Sequence, residues 1–159
     1  MNKEVTIRIG EERDAPAIAD FNIAMAKETE GKELDPQRVA SGVRRLIANP
    51  QFGFYLVAKE RDRVVGCLMI TMEWSDWRDG FFWWMQSVYV HERYRRQGIY
   101  RKLYEYAKSL AVKRGSVCGT RLYVERENIS ARRTYENLGM LETRYKLYEE
   151  EFPREGGNL

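Results

Sequence analysis

The sequence predicts a mixed α/β fold of the α+β type, in which a mixed central sheet with an antiparallel N-terminal meander is flanked by about four helices. Two observations support this prediction. The β-rich runs at 52–59, 64–72 and 81–90 are separated by short polar turns, so they are expected to pair as successive antiparallel strands. After residue 90 the pattern alternates between helical and strand periodicity, which is typical of strands connected by helices.

The N-terminal third is predicted to hold one strand and two helices. Residues 5–9 alternate apolar and polar side chains and predict a strand with one apolar face. Helical periodicity follows over 14–27 and again over 35–48, and an aspartate stands at the start of each helix as a predicted N-cap. Residues 28–34 break the pattern and predict a loop that carries three carboxylates.

The C-terminal half is predicted to alternate helix and strand. The elements are a helix over 98–114, a strand over 116–124, a helix over 130–138 and a strand over 141–150. Residues from about 153 to 159 are expected to form a frayed tail. With no repeats or linkers, residues 1–159 are expected to form a single domain.

The composition excludes several classes of protein. The chain has 159 residues, 43% of them hydrophobic and 32% charged, as in soluble globular proteins, and no apolar run reaches the ~20 residues of a membrane span. The first residues lack an apolar signal core, so a cytoplasmic protein is expected. With one histidine and no clustered cysteines, no metal site is predicted, and Cys67 and Cys118 are expected to be reduced and buried.

The chain is organised around the stretch from Met85 to Ala107, MQSVYVHERYRRQGIYRKLYEYA. It predicts a strand, a basic turn closed by Gly98, and a helix with one buried face. Unpaired backbone N–H groups and the macrodipole at such a helix start attract phosphate. The arginines before it oppose the macrodipole, so a bound anion would relieve that conflict. A solvated basic turn and a nucleic-acid-binding stripe are the alternative interpretations of the same arginines.

Two motifs here resemble the signatures of the GNAT N-acetyltransferase family. Arg95-Arg96-Gln97-Gly98-Ile99-Tyr100 is similar to the acetyl-CoA pyrophosphate motif, Gln/Arg-x-x-Gly-x-Gly/Ala, with Tyr100 replacing the final small residue. A tyrosine there would narrow the turn or stack beside the cofactor. Farther along, residues 128–140, NISARRTYENLGM, resemble the second signature, an Asn before a short helix that carries Ala, Tyr and then Gly. Both motifs occur in family order, which argues against the nucleic-acid interpretation.

The resemblance implies a GNAT-like acyl-CoA N-acyltransferase fold and transfer of an acetyl group from acetyl-CoA, as co-substrate, to an amine in a ternary complex. A small-molecule amine or a protein amino group would be the acceptor, without a membrane partner. The resemblance, together with the anion-binding turn, assigns cofactor binding to residues of the strand, the turn and the second motif: Val88, Tyr89, Val90, Arg95, Arg96, Gln97, Gly98, Ile99, Tyr100, Arg101, Asn128 and Tyr135.

The catalytic roles implied by the resemblance are only partly matched by residues. Tyr135 matches the family's general acid, which protonates the departing thiolate, and a backbone N–H near Val88 is the expected oxyanion donor. Many family members carry a glutamate on the strand before the turn, but here Trp84 and Gln86 lie near that place. The general base is therefore expected to be Glu73, which is favoured slightly, or Glu28, Glu30 or water-mediated transfer to solvent.

Acceptor binding is predicted on two segments. By analogy with the family, the loop between the first two helices contributes Glu28, Glu30 and Glu33, and the stretch 73–84, EWSDWRDGFFWW, adds six aromatics among carboxylates. This stretch could form a box for a cationic amine, pack both faces of the sheet, or build a homodimer interface. The resulting candidate substrate-binding residues are Glu28, Glu30, Glu73, Trp74, Trp84 and Gln86.

Two other functions compete with the transferase. The first is a catalytically silent CoA-binding module of the same fold, which the missing strand glutamate and Tyr100 would favour. The second is a small nucleic-acid-binding protein that uses the basic turn. CoA binding without turnover would indicate the first, and salt-sensitive nucleic-acid binding without CoA affinity would indicate the second.

Overall fold

A computed structural model of the chain describes residues 4–154. These residues belong to two compact units, Met1–Leu122 and Tyr123–Leu159, and each unit is described by itself. Most of the predicted tail, residues 155–159, lies outside the described residues, and the expectation of a single domain over 1–159 stays a prediction.

The first unit holds all of the strands among the described residues and three of the helices. In chain order the elements are β1 (Val5–Ile9), α1 (Ala15–Glu30), α2 (Pro36–Ala48), β2 (Gly53–Glu60), β3 (Arg63–Ser75), β4 (Gly80–Val90), α3 (Ile99–Arg114) and β5 (Val117–Arg121). The second unit contains α4 (Ile129–Asn137).

The five strands form one mixed sheet in the order β1-β2-β3-β4-β5. The first four pair antiparallel as a meander, and β5 joins β4 in parallel after the helical crossover of α3. A parallel neighbour needs such a crossover because the chain must return to the same end of the sheet before it pairs again. The predicted fold class is therefore confirmed, including the mixed sheet and the four helices.

Helices α1 and α2 cover one face of the sheet. Ile18 and Phe21 of α1 and Val43 of α2 pack in one buried cluster with Val57 and Cys67 of the strands. Helix α3 packs against the opposite face. Successive strand residues point to opposite faces, so position 66 faces away from the side chain of Cys67. A Cβ atom at Gly66 would lie 3.5 Å from Ile99 of α3, which places α3 on that opposite face. The sheet is thus sandwiched between helices on both faces.

The two cysteines differ in environment. Cys67 is buried and free, and burial raises the pKa of its thiol to about 12. Cys118 is also free but exposed, so the prediction that it is buried was wrong. Its strand β5 is the edge of the sheet and is flanked by strand residues on one side only.

Four predictions of elements or their boundaries were wrong. Strand β5 ends at Arg121 rather than at residue 124. Helix α1 continues to Glu30 and ends at Gly31, which adopts the left-handed conformation, so Glu28 and Glu30 lie in its last turn rather than in a loop. Strand β3 runs to Ser75, so Glu73 and Trp74 are strand residues. Within the described residues no strand forms over 141–150, because apolar alternation makes a strand only where a neighbouring strand supplies hydrogen bonds.

The predicted cap of α1 has a different role. Asp14 occupies the N-cap position, but its side chain makes no capping hydrogen bond. Instead it accepts hydrogen bonds from both Arg8 terminal nitrogens, at 2.6 and 2.9 Å, and from the Glu11 backbone N–H at 2.8 Å. Burial alone would raise the pKa of Asp14, but the hydrogen bonds and the charge of Arg8 outweigh burial, and the net effect lowers it. This ion pair joins β1 to the start of α1.

We expect Asp14→Asn to lower the free energy of unfolding at pH 7 by about 3 kcal/mol, because Arg8 would lose its partner in a nearly buried pair. The folded-state pKa of Asp14 is lowered, so its contribution is present above the unfolded value of about 3.9 and is lost as pH falls below it. Urea unfolding at pH 7 and pH 3 should therefore show a difference between wild type and variant that shrinks at pH 3.

Glu33→Gln is the matched control, because Glu33 pairs with Lys27 at 3.2 Å on the exposed surface. Its effect should stay within about 0.5 kcal/mol. Equal losses in the two variants, or a gap that does not change with pH, would contradict the assigned role of Asp14.

Candidate cofactor and acceptor site

Strand β4 contains a β-bulge immediately before Val88. Cys67 of β3 lies opposite Tyr89, and Met69 lies opposite Gln86, so β4 has one more residue than β3 between these pairs. Ser87 takes up the extra residue with φ +49°, a conformation that costs a non-glycine residue on the order of 1 kcal/mol. The bulge redirects the backbone at Val88, the residue for which an oxyanion donor was predicted.

The outer edge of β4 is paired over only part of its length. Strand β5 lies beside residues 81–84 of β4, ending with Arg121 opposite Trp84. Among the described residues no strand pairs with residues 85–90 on that side. The backbone of this segment therefore presents an open edge to which an extended ligand can add as a strand.

The open edge runs directly into the basic turn. Arg96 and Gly98 both have left-handed backbone conformations, with φ +62° and +73°, and α3 starts at Ile99. No side chain caps α3, and its first turn has no acidic residue. The first N–H groups of this 16-residue helix are thus available to an anion, with exposed arginines at 93, 96 and 101 around them.

Tyr100, the departure from the pyrophosphate motif, lies in the first turn of α3. Its ring is half-buried and tilted against that of Tyr104, with ring centroids 6.4 Å apart. The ring thus has an aromatic neighbour one helical turn later, as the spacing of four residues allows.

Glu28 and Arg95, which were predicted for different ligands, contact each other. Arg95 Nη2 donates to Glu28 Oε2 at 2.7 Å, and the Tyr89 hydroxyl donates to Glu28 Oε1 at 2.9 Å. Arg95 Nε also donates to the Val90 carbonyl at 2.9 Å. Burial would raise the pKa of Glu28, but the hydrogen bonds from Arg95 and Tyr89 outweigh it, and the net effect lowers it. The last turn of α1 is thereby joined to the end of β4 and to the basic turn.

The other two acidic candidates near the end of α1 have local partners. Glu30 pairs with Lys32 at 2.8 Å and Glu33 pairs with Lys27 at 3.2 Å. All four side chains are exposed. Neither carboxylate reaches another element through these contacts, in contrast to Glu28.

Glu73 is the centre of a polar network on one face of the β3–β4 hairpin. Its Oε2 accepts a hydrogen bond from Trp84 Nε1 at 2.6 Å, and its Oε1 pairs with Arg121 Nη1 at 2.5 Å. One residue pair nearer to the bulge, Gln86 Nε2 donates to Thr71 Oγ1 at 2.7 Å. The predicted residues Glu73, Trp84 and Gln86 therefore share one face of the β3–β4 hairpin.

Two arginines lie against Phe82 on the same hairpin. The Arg121 guanidinium carbon is 3.7 Å from the centre of the Phe82 ring and that of Arg78 is 5.0 Å from it. Gly119 makes this packing possible, because a Cβ atom there would lie 2.8 Å from the Phe82 ring. At this position the Phe82 ring contacts cations of the protein itself, and the interpretation of the stretch as a box for a cationic amine stays a prediction.

The remaining aromatics of the hairpin divide between the core and the surface. Trp83 is 2% exposed and packs edge-on against Phe54, as the core-packing interpretation requires. Trp74 packs against Phe81 but is 54% exposed, and Trp77 at the hairpin turn is 85% exposed. The homodimer interpretation of these exposed rings stays a prediction.

The second unit carries the other motif on α4. The Asn128 side chain accepts a hydrogen bond from the Ala131 N–H at 3.1 Å and so caps the helix. Tyr135 lies two turns farther on, and burial raises the pKa of its phenol. A phenol with a raised pKa stays protonated at neutral pH, as a proton donor must.

Sequence reasoning missed Arg121, Thr71 and the bulge at Ser87. Arg121 is the last residue of a strand that carries no motif, and a serine is not a residue type that signals a left-handed backbone. Across residues 4–154 no three His, Cys, Asp or Glu side chains are grouped closely enough to hold a metal ion. None of the helices described is both long enough and apolar enough to cross a bilayer.

Comparison with known proteins gives one family and many similar structures. The sequence model of the Acetyltransferase (GNAT) family matches residues 19–140. A structure described as a possible acetyltransferase from Clostridium difficile 630 is 47% identical, with a TM-score of 0.88 over 94% of this chain and 99% of that one. A search of curated protein sequences finds no significant match.

Two more distant structures share the fold. A ribosomal-protein-alanine N-acetyltransferase from Brucella melitensis biovar Abortus 2308 is 19% identical, with a TM-score of 0.76 over 94% of this chain and 100% of that one. A predicted acetyltransferase with acetyl-CoA from Clostridium acetobutylicum is 15% identical, with a TM-score of 0.76 over 92% and 96% of the two chains.

We expect Asn128→Ala to speed amide hydrogen exchange in α4, over residues 129–137, by about fivefold, because a lost N-cap costs on the order of 1 kcal/mol. Asn128→Asp should exchange like the wild type, since Asp caps as well as Asn. Exchange in Asn128→Asp as fast as in Asn128→Ala would show that the cap does not hold this helix.

Proposed function

The chain belongs to the GNAT acetyltransferase family, and from this membership we propose that it transfers an acetyl group from acetyl-CoA to an amine by direct attack within a ternary complex. The observation that carries the proposal is the open edge of β4 that leads into an uncapped helix start. The extended pantetheine arm of acetyl-CoA needs an open strand edge, and its pyrophosphate needs a helix start beside that edge.

The cofactor is held by two kinds of backbone contact. The amide-containing pantetheine arm pairs with Val88–Val90 as an added strand. Its pyrophosphate accepts hydrogen bonds from N–H groups between Gln97 and Arg101, where the helix dipole and the arginines also favour negative charge. Tyr100 flanks the phosphates, and Asn128 contacts the arm through its amide nitrogen while its oxygen caps α4.

The chemistry needs one oxyanion donor and one acid. As the amine nitrogen attacks the thioester carbon, the carbonyl oxygen becomes negative and is stabilised by the Val88 N–H. Val88 lies where the regular pairing of β3 and β4 is interrupted, which supports this role. Collapse of the tetrahedral intermediate expels the CoA thiolate, which takes a proton from Tyr135. The Tyr135 phenol is protonated at neutral pH and so carries the proton that the thiolate takes.

Glu73 binds the acceptor rather than taking its proton directly. It lies opposite Phe82, six residues before Val88 on the same strand, and at about 3.3 Å per residue this is about 20 Å. A general base must come within hydrogen-bonding distance of the amine, whereas the Glu73 carboxylate is already bound to Trp84 and Arg121. Water-mediated transfer, Glu30 and Glu28 are the alternatives, and Glu28 contacts the residue after Val88.

The acceptor is a small-molecule amine or a protein amino group that lies over the face of the β3–β4 hairpin. Trp74 and Trp84 would supply aromatic contacts to it, Gln86 a polar contact, and Glu28 and Glu30 negative charge from the end of α1. The exposed positions of Trp74 and Glu30 support their access to a ligand.

Thermal unfolding with acetyl-CoA is the direct test of the proposal. At about 100 times its dissociation constant the cofactor should stabilise the protein by about 2.7 kcal/mol, which raises Tm by several degrees. Thiol release against a panel of amines then identifies the acceptor. The absence of any shift at saturating acetyl-CoA would refute the proposal, and a shift without thiol release from any amine would indicate a silent CoA-binding module.

Tyr135→Phe should lower kcat by roughly ten- to a thousandfold, the contribution of one acid–base group, with little change in acetyl-CoA affinity. Tyr145→Phe is a matched control on a tyrosine that is 79% exposed, and it should retain the wild-type rate. Wild-type turnover by Tyr135→Phe would remove Tyr135 from the acid role.

A further inference from the structure

The contact between Glu28 and Arg95 joins two parts of the proposed site that bind different substrates. Arg95 is the first residue of the pyrophosphate motif, and Glu28 lies in the last turn of α1, where acceptor binding was predicted. Their ion pair is supported on both sides. The Tyr89 hydroxyl donates to Glu28, and the Arg95 guanidinium lies 5.3 Å from the centre of the Tyr89 ring.

Arg95 is therefore occupied by protein groups that compete with a cofactor. Nη2 donates to Glu28, and Nε donates to the Val90 carbonyl, which lies in the segment of β4 whose outer edge is open. An added pantetheine strand and a pyrophosphate would each place acceptor oxygens near these donors. These contacts use the edge of the guanidinium formed by Nε and Nη2, so Arg95 must give them up to present this edge to a phosphate. The Glu28 carboxylate would also repel a phosphate bound at the remaining N–H groups.

The Arg95–Glu28 ion pair is suited to exchange because it lies near the surface and is therefore weak. The side chains of Arg95 and Glu28 are 44% and 43% exposed, so water screens their attraction. A guanidinium binds a phosphate through short charge-assisted hydrogen bonds, often two at once. A pyrophosphate in the turn would therefore take Arg95 away from Glu28.

We propose that Arg95 is exchanged between Glu28 and the cofactor pyrophosphate, so that binding of acetyl-CoA breaks this ion pair and releases the Glu28 carboxylate for a cationic amine. The inference rests on the proposed function and adds a coupling between its two substrates. Without cofactor, Glu28 is neutralised by Arg95. With cofactor, it is an unpaired carboxylate next to Tyr89, one residue beyond the proposed oxyanion donor.

The released carboxylate differs from the paired one in two ways that favour the acceptor. Its charge is no longer cancelled, so it attracts a protonated amine to the end of β4. The hydrogen bond and charge of Arg95 also no longer lower its pKa, so Glu28 becomes a better proton acceptor. Cofactor binding thus prepares the acceptor site, and the amine binds second.

Glu28→Gln tests the exchange through cofactor affinity, measured by calorimetry on the full chain. Removing the competing carboxylate should lower the Kd for acetyl-CoA about two- to fivefold, as expected for a partly exposed ion pair. The Kd for S-acetylpantetheine, which has no pyrophosphate, should stay the same. Glu30→Gln is the matched control, because Glu30 lies on the same helical turn but pairs with Lys32, and it should leave both Kd values unchanged.

Other results would contradict the proposed exchange of Arg95. An unchanged or higher Kd of Glu28→Gln for acetyl-CoA would mean that Glu28 does not compete with the cofactor, or that it holds Arg95 in place for it. An equal gain with S-acetylpantetheine would show that the pyrophosphate is not the competitor. Wild-type protein that does not bind acetyl-CoA would refute the proposed function itself, whereas tight wild-type binding with an unresponsive Glu28→Gln would refute the exchange alone.

Discussion

Strand β4 changes its hydrogen-bonding surroundings halfway along its length, and the candidate chemistry of the chain depends on that change. Up to Trp84 the strand lies between β3 and β5, but beyond it β5 no longer follows. The bulge at Ser87 then adds a residue and turns the backbone at Val88. A fully paired strand would have no donors or acceptors left for a ligand. The interrupted pairing supplies both, directly before a helix start that lacks a cap.

Ion pairs between elements organise the surface of the first unit. Arg8 and Asp14 join the first strand to the first helix. On the β3–β4 hairpin, Arg121 neutralises Glu73 and lies on Phe82, so this face is a mixed polar and aromatic surface rather than an acidic one. The Glu73–Arg121 pair joins residues 48 positions apart. Because both side chains are partly exposed, this pair is weak and can be broken by a stronger ligand. The Asp14 carboxylate, in contrast, is nearly buried, so losing its pair with Arg8 is costly.

Several errors of the sequence predictions have one physical cause. A local sequence pattern does not show which distant residues will contact a segment. An aspartate before a helix is a good cap, yet Asp14 binds Arg8, which lies on a separate element. Apolar alternation over 141–150 is typical of a strand, but no strand is present there, since no neighbour supplies a ladder. Asp35 illustrates the reverse case. Its capping bond to the Gln37 N–H depends only on adjacent residues, and this prediction was confirmed.

The sequence by itself determined the order of elements up to α4, the fold class, the family and the basic turn before α3, because each depends on periodicity or on spacing within a short stretch. It also nominated Glu28, Glu73 and Arg95. Only the tertiary structure decided which charges meet. It paired Arg95 with Glu28 and Glu73 with Arg121, and it placed the bulge beside Val88. Such contacts join residues up to 67 positions apart, and no local pattern encodes a distance across the sheet.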